Sequence, residues 1–147
     1  MIELPKIPLA AFLTLNNSGD VSKIQYRHLD AVNAVRQAQG LNPVEMSSQL
    51  NAAASTHAQD ISRQNRPWHF GSDGSNPIQR VARTGYAGAM LSENISETFE
   101  TDLETVDAWM RTPVTRAGIL HPQARYVGFA WHQEANGKIW WVQLFGS

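Results

Sequence analysis

The chain has no cysteine among its 147 residues, which removes a disulfide framework, a thiolate metal site and a cysteine nucleophile together. It also lacks an excess of either charge: 12 Lys and Arg stand against 13 Asp and Glu, a formal net charge of −1. Such a balance gives no general attraction to nucleic acid or to an anionic membrane, so any binding must come from a local site. No internal repeat, linker or low-complexity stretch interrupts the chain. There is no long apolar run either. The early one, Leu9 to Leu15, is too short to span a bilayer. Pro5 and Pro8 flank it, Lys6 is the only early positive charge, and no small-x-small cleavage site follows, so it reads as a packed arm rather than a signal peptide. A Gly-x-Ser-x-Gly nucleophile elbow and a His-x-x-x-His metal spacing are also absent.

What is present fits one domain: 42% of residues are apolar, enough for a core that needs no staple. Residues 1–20 read as an N-terminal arm and 21–147 as the domain. Val21, Ile24, His28, Ala31 or Val32, Val35 and Ala38 recur at helical steps, and Gly40 ends that helix. Ser47 can cap a second helix with a stripe of Leu50, Ala53, Ala54, His57, Ala58 and Ile61. Asn76 and Pro77 open a short third helix, and Gly85 stops it. Met90 to Ile95 reads as a strand, and Thr101 with Glu104 as a capping box ahead of Leu103, Val106, Trp109 and Met110. The last third alternates as two strands, Tyr126 to His132 and Lys138 to Phe145, around a two-residue Asn136-Gly137 hairpin turn. Trp140 and Trp141 then point to opposite faces, one to the core and the other near a surface. These elements predict an α+β fold with a small antiparallel sheet covered by helices.

The stretch from Trp68 to Ile95 is the candidate site. Its glycine-rich turn, Gly71 to Ser75, lets the chain double back and carry His69 towards Glu93. A carboxylate beside an imidazole fixes its tautomer or favours its charged form, so the pair could serve as base, proton shuttle or partial metal site. The alternative is a structural pair tying the loop to the sheet. Asp73 could help bind a cation or simply satisfy turn amides, and Ser72 reads as a loop hydrogen-bonder. His57 and His28 lie on apolar stripes and read as core or boundary residues. His121 reads as a loop residue before Pro122, and His132 ends a strand.

The run His69, Gly71 to Ser75, Pro77, Arg80, Gly85-Tyr86 and Glu93-Asn94-Ile95 resembles the bacterial branch of the CAP superfamily, the cysteine-rich secretory, antigen 5 and pathogenesis-related proteins. Asn33, Arg36, Gly40-Leu41, Leu50, Ala54, His57-Ala58 and Asp60 fall in the family's order before it. Trp109-Met110, Thr112-Pro113, Arg116-Ala117, Ile119-Leu120 and Trp141 to Gly146 follow it, and the likeness spans roughly residues 30 to 146. The resemblance implies an α–β–α sandwich, an extracellular or envelope location, and a cavity tetrad of two histidines and two glutamates that binds a divalent metal in some members.

This chain departs from that tetrad. Where the bacterial pattern has Ser-Pro-Gly-His-Arg-Ala-Asn-Ile-Leu, it reads Thr112-Pro113-Val114-Thr115-Arg116-Ala117-Gly118-Ile119-Leu120, so the second histidine is Thr115. The second glutamate falls near Thr112 and is absent too. Two good ligands, His69 and Glu93, seldom hold zinc tightly, so at most a weakly bound divalent metal is expected. The reading is therefore a non-catalytic binding module with a degenerate tetrad. Its ligand-binding groove holds His69, Glu93, Thr115, Asp73 and Ser72, and takes a peptide, lipid, glycan or protein partner. One alternative is a peptidase or cell-wall hydrolase in which His69 and Glu93 do acid–base or weakly metal-dependent work. The other is a structural subunit that docks through its N-terminal arm.

Overall fold

The computed structural model describes residues 18–98 and 100–147. Apart from its last three residues, the expected arm lies outside them. Those three open helix α1 (Ser18–Ala38). There follow β1 (Glu45–Met46), α2 (Ser48–Gln64), α3 (Pro77–Ala82), β2 (Met90–Thr98), α4 (Asp102–Arg111), α5 (Pro113–Ile119), β3 (Tyr126–Gln133) and β4 (Ile139–Gly146).

The helix starts are those the capping residues dictate. The Ser47 hydroxyl accepts from the Leu50 amide at the head of α2, and reciprocal capping boxes close at Asn76 with Gln79 and at Thr101 with Glu104. The strands form one sheet in the order β1-β3-β4-β2. β4 lies antiparallel to both β2 and β3, and the short β1 runs parallel to β3. With only two residues, β1 has no periodicity by which the sequence could announce it.

Each face of the sheet carries its own core. On one face Val127, Phe129, Ile139, Trp141 and Phe145 meet Ile24, Val32 and Val35 of α1, Val106, Trp109 and Met110 of α4, and Ile119 of α5. On the other, Ala130, Trp140, Val142 and Leu144 meet the Leu50, Ala53, Ala54, Ala58 and Ile61 stripe of α2 and Val81 of α3. The result is an α–β–α sandwich. It corrects the expectation for the tryptophan pair: Trp140 and Trp141 do face opposite ways, but both are fully buried because helices cover both sides. The hairpin turn also differs. Only Gly137 takes a positive φ, 93°, while Asn136 does not. The Gly137 amide donates to Glu134 O and the Glu134 amide to Lys138 O, making a three-residue loop instead of a two-residue one.

The α2 helix sits hard against β3. A Cβ on Gly128 would lie 2.2 Å from the Leu50 carbonyl carbon, so only glycine permits this approach. Arg36 ties the other layer together. Fully buried, it donates to the carbonyls of Asn42, Ile119 and His121 at 2.9 Å each and of Ala124 at 3.4 Å. One guanidinium thus joins α1 to the end of α5 and the loop entering β3. Arg36→Ala is expected to cost about 3 kcal/mol or more in urea-induced unfolding, because it strands buried carbonyls. Arg36→Lys should recover less than half of that, since an ammonium lacks the planar fork.

Candidate functional site around His69 and Glu93

The loop after α2 begins with Asn65 in the left-handed region (φ 53°), which turns the chain off the helix. The glycine-rich turn is then closed by its own backbone, Gly71 N to Ser75 O at 2.8 Å and Gly74 N to Gly71 O at 2.9 Å. Two carboxylates anchor it. Asp60 of α2 accepts from the Ser72 amide at 2.7 Å, and Asp73 accepts from the Ser75 amide at 2.9 Å and from Arg83 at 2.8 Å. Burial opposes the Asp60 charge, but the Ser72 amide and hydroxyl and nearby Arg63 outweigh it and hold that carboxyl below the usual range. The Ser75 hydroxyl and amide, with Arg83, hold Asp73 well below it.

The loop presents His69 to β2. Glu93 leaves the sheet on the α2–α3 face, where its side chain is 1% exposed, and its Oε1 lies 2.8 Å from His69 Nδ1. Its Oε2 accepts from Arg80 Nη1, and Arg80 Nη2 donates to the His69 carbonyl at 2.5 Å. Arg80 is buried too. The guanidinium therefore neutralises the buried carboxylate and holds the backbone of the residue that shares it. His57 stands behind them, its Nε2 donating to Trp68 O at 2.8 Å and lying 3.9 Å from Glu93 Oε1. Burial lowers its pKa, partly opposed by Glu93 and reinforced by Arg80, so it is held neutral.

Since a carboxylate only accepts, His69 Nδ1 carries the proton in its bond to Glu93, and the other ring nitrogen, Nε2, has no partner among the described residues. The His69 side chain is 54% exposed. The site is thus an exposed imidazole mounted on a buried ion pair. Beside it Trp68 and Phe70 pack at 5.4 Å, Arg66 lies 3.7 Å over the Trp68 ring, and Phe70 is exposed.

The structure brings His69 and Glu93 together and does not bring the other expected residues into polar contact with them. Thr115 donates its hydroxyl to Trp109 O at 2.7 Å and to Thr112 O at 3.2 Å, and its carbonyl accepts from Asn94 at 3.0 Å. Asn94 neighbours Glu93 on β2 and leaves the opposite face of the pleat, so α5 meets the strand from the other side. Ser72 and Asp73 hold the loop itself. His121 accepts from the Gln123 amide in its loop, as a loop histidine would. Two members of the cluster had no role assigned from sequence. Arg80 had only its place in the family-like run to mark it, and His57 sits on an apolar stripe that reads as core.

Asn94 opens a buried polar chain. It donates to Gln143 Oε1 at 2.8 Å, and Gln143 Nε2 lies 2.8 Å from His28 Nε2. The His28 ring stacks on Phe129 at 3.5 Å and is fully buried, which drives its pKa from 6.5 down to about 3.

The match to known proteins follows the same elements. The model of the cysteine-rich secretory protein family, CAP, matches residues 29–145, and the chain belongs to that family. It is 29% identical over 134 residues to the uncharacterized protein YkwD of Bacillus subtilis, covering 91% of this chain but only 51% of that protein. The chain therefore spans about half the length of that relative. Among solved structures, an outer surface protein of Borrelia burgdorferi superposes with a TM-score of 0.78 at 18% identity, covering 90% of this chain and 96% of the other. An extracellular protein containing an SCP domain from Bacillus anthracis gives 0.74 at 16% identity, covering 89% and 44%. At such identities these structures speak for the fold.

The side chains do not fit the divalent metal found in some members. Both Glu93 oxygens are engaged by His69 and Arg80, and His57 Nε2 is engaged by Trp68 O. Among the described residues, no group of three or more His, Asp or Glu is placed to hold an ion.

Two outcomes are expected. Arg80→Met leaves Glu93 buried without its cation and should destabilise the domain by about 3–5 kcal/mol in urea unfolding. His69→Ala, at an exposed ring, should cost no more than about 1.5 kcal/mol. The second concerns pH. His28 binds its proton less readily folded than unfolded, so the unfolded chain takes up more protons between about 6.5 and 3. Stability is then full above that window and falls as pH drops through it, on the order of 1 kcal/mol per pH unit, with His57 acting in the same direction. Replacing His28 with Gln should flatten that acid limb in thermal melts run across the window.

Proposed function

We propose that this CAP domain is a non-catalytic binding module, extracellular or envelope-associated, whose ligand meets the surface formed by His69, Phe70 and Trp68 over Glu93. The observation that carries this reading is the state of the Glu93 carboxylate. Its two oxygens are engaged by His69 and Arg80, and its side chain is 1% exposed. It is therefore not available to take a proton from a substrate or water. The nearby amides that could stabilise an oxyanion are engaged as well, Gly71 by Ser75 O and Ser72 by Asp60. What is left is an exposed imidazole whose Nε2 has no partner among the described residues, beside the exposed Phe70. That combination suits one hydrogen bond and one stacking contact with a glycan or peptide. Among the described residues no helix is long and apolar enough to cross a membrane, which is compatible with such a location.

A second reading has one observation in its favour: a carboxylate orients the His69 imidazole, as in hydrolases whose histidine serves as base. Soluble peptidoglycan fragments and casein peptides, titrated while the His69 and Phe70 NMR signals are followed, separate the two. The binding reading expects saturable shifts confined to these residues, lost in Phe70→Ala, with no new termini or reducing ends. Cleavage that drops by about a hundredfold or more in His69→Gln would establish the hydrolase instead.

A further inference from the structure

Residues 57–93 hold four arginines and three acids, and the fold pairs each acid with one of the arginines. Arg63 faces Asp60 at 3.8 Å, Arg83 faces Asp73 at 2.8 Å, and Arg80 binds Glu93. Arg66 is left over. It is exposed, and its side chain forms neither an ion pair nor a hydrogen bond among the described residues. The loop that carries His69 therefore ends with one uncompensated positive charge, and that charge stands beside the aromatic pair of the same surface.

The cation is also held in place. The Arg66 amide donates to Ile61 O at 3.1 Å, closing the turn that ends α2 after the left-handed Asn65, and Pro67 fixes the next φ. The guanidinium carbon lies 3.7 Å from the centre of the Trp68 ring, and that residue is itself fixed: its Nε1 donates to Gln64 Oε1 at 2.9 Å and its carbonyl accepts from His57 at 2.8 Å. Gln64 Nε2 in turn donates to Asp60 at 3.1 Å and to Phe70 O at 3.2 Å, so one amide sets both aromatics. Phe70 packs against the same indole at 5.4 Å. A guanidinium attracted to a ring keeps its N–H donors for another partner, and its fork matches the two oxygens of a carboxylate.

We propose that the ligand of this surface is an acidic peptide, whose Asp or Glu carboxylate meets Arg66 while an apolar side chain two residues away rests on Phe70. This deepens, and rests on, the reading of the surface as a binding site. Arg66 and Phe70 border one indole, and in an extended peptide residues i and i+2 share a face about 7 Å apart, a separation suited to reaching both. The indole that a sugar ring would stack on already carries the guanidinium, and the exposed Phe70 offers an apolar ring with no polar tip, which favours a peptide over a glycan. Because turn, proline and indole hold Arg66 beforehand, it has less rotamer freedom to lose when the carboxylate arrives.

Titrations of the full chain followed by NMR test the assignment, using acetylated and amidated Asp-Ala-Leu and Leu-Ala-Asp peptides, their Asn counterparts, and a neutral N-acetylglucosamine disaccharide. The expected result is that the Asp peptide, in at least one of the two orders, binds the wild type about tenfold more tightly than its Asn counterpart and shifts the Arg66 and Phe70 signals. That gap closes in Arg66→Gln and returns only in part in Arg66→Lys. Arg66 is exposed, so both variants keep the wild-type urea midpoint. The inference is overturned, with the binding reading left standing, if Asp and Asn peptides bind the wild type alike, if Arg66→Gln keeps the gap, or if the disaccharide alone binds. No shift at Phe70 with any of these probes would remove the surface as a binding site, and the inference with it.

Discussion

The buried pair of Arg80 and Glu93 is the constraint on which the site depends. A carboxylate with a 1% exposed side chain needs a cation with matched hydrogen bonds, and Arg80 supplies one from α3. The second arm of the same guanidinium holds the His69 carbonyl, so neutralising the charge and fixing the loop are one event. Everything between α2 and β2 is arranged to allow it. Asp60 and Asp73 shape the turn, Asn76 caps the helix that carries Arg80, and His57 fills the space behind.

That arrangement explains how the chain keeps the Glu93 carboxylate buried. The positive charge beside Glu93 comes from within the chain. The imidazole keeps one nitrogen against the ion pair while its side chain stays more than half exposed. On the opposite face of β2, Asn94, Gln143 and His28 form a separate polar chain linking α5, the sheet and α1. Thr115 belongs to that side. The two polar systems are neighbours in sequence and are divided by the sheet.

Much of this was legible in the residues. The caps at Ser47, Asn76 and Thr101 mark helix starts because their side chains satisfy specific amides, and the alternation of the last two strands marks their two faces but not that helices cover both. The glycine-rich turn announced that His69 could return to Glu93. Four things were not legible. β1 is too short to show a period. Asn136 holds an ordinary φ because its side chain accepts from the Lys138 amide within a longer loop. Arg80 looks like any helical arginine until the fold shows that α3 packs over Glu93, and His57 looks like core for the same reason. Pairings between distant segments depend on tertiary placement, which local pattern does not encode.

The central claim is that Glu93 is held as an anchor by Arg80 and His69, leaving the far imidazole nitrogen without a partner among the described residues. Long-range proton–nitrogen NMR on the His69 ring, recorded above the pH at which its ring signals are observed to stop moving, reads this directly. The account predicts a single tautomer with the proton on Nδ1, facing the carboxylate, and a bare Nε2. A proton on Nε2, or rapid averaging between the two nitrogens, would contradict it.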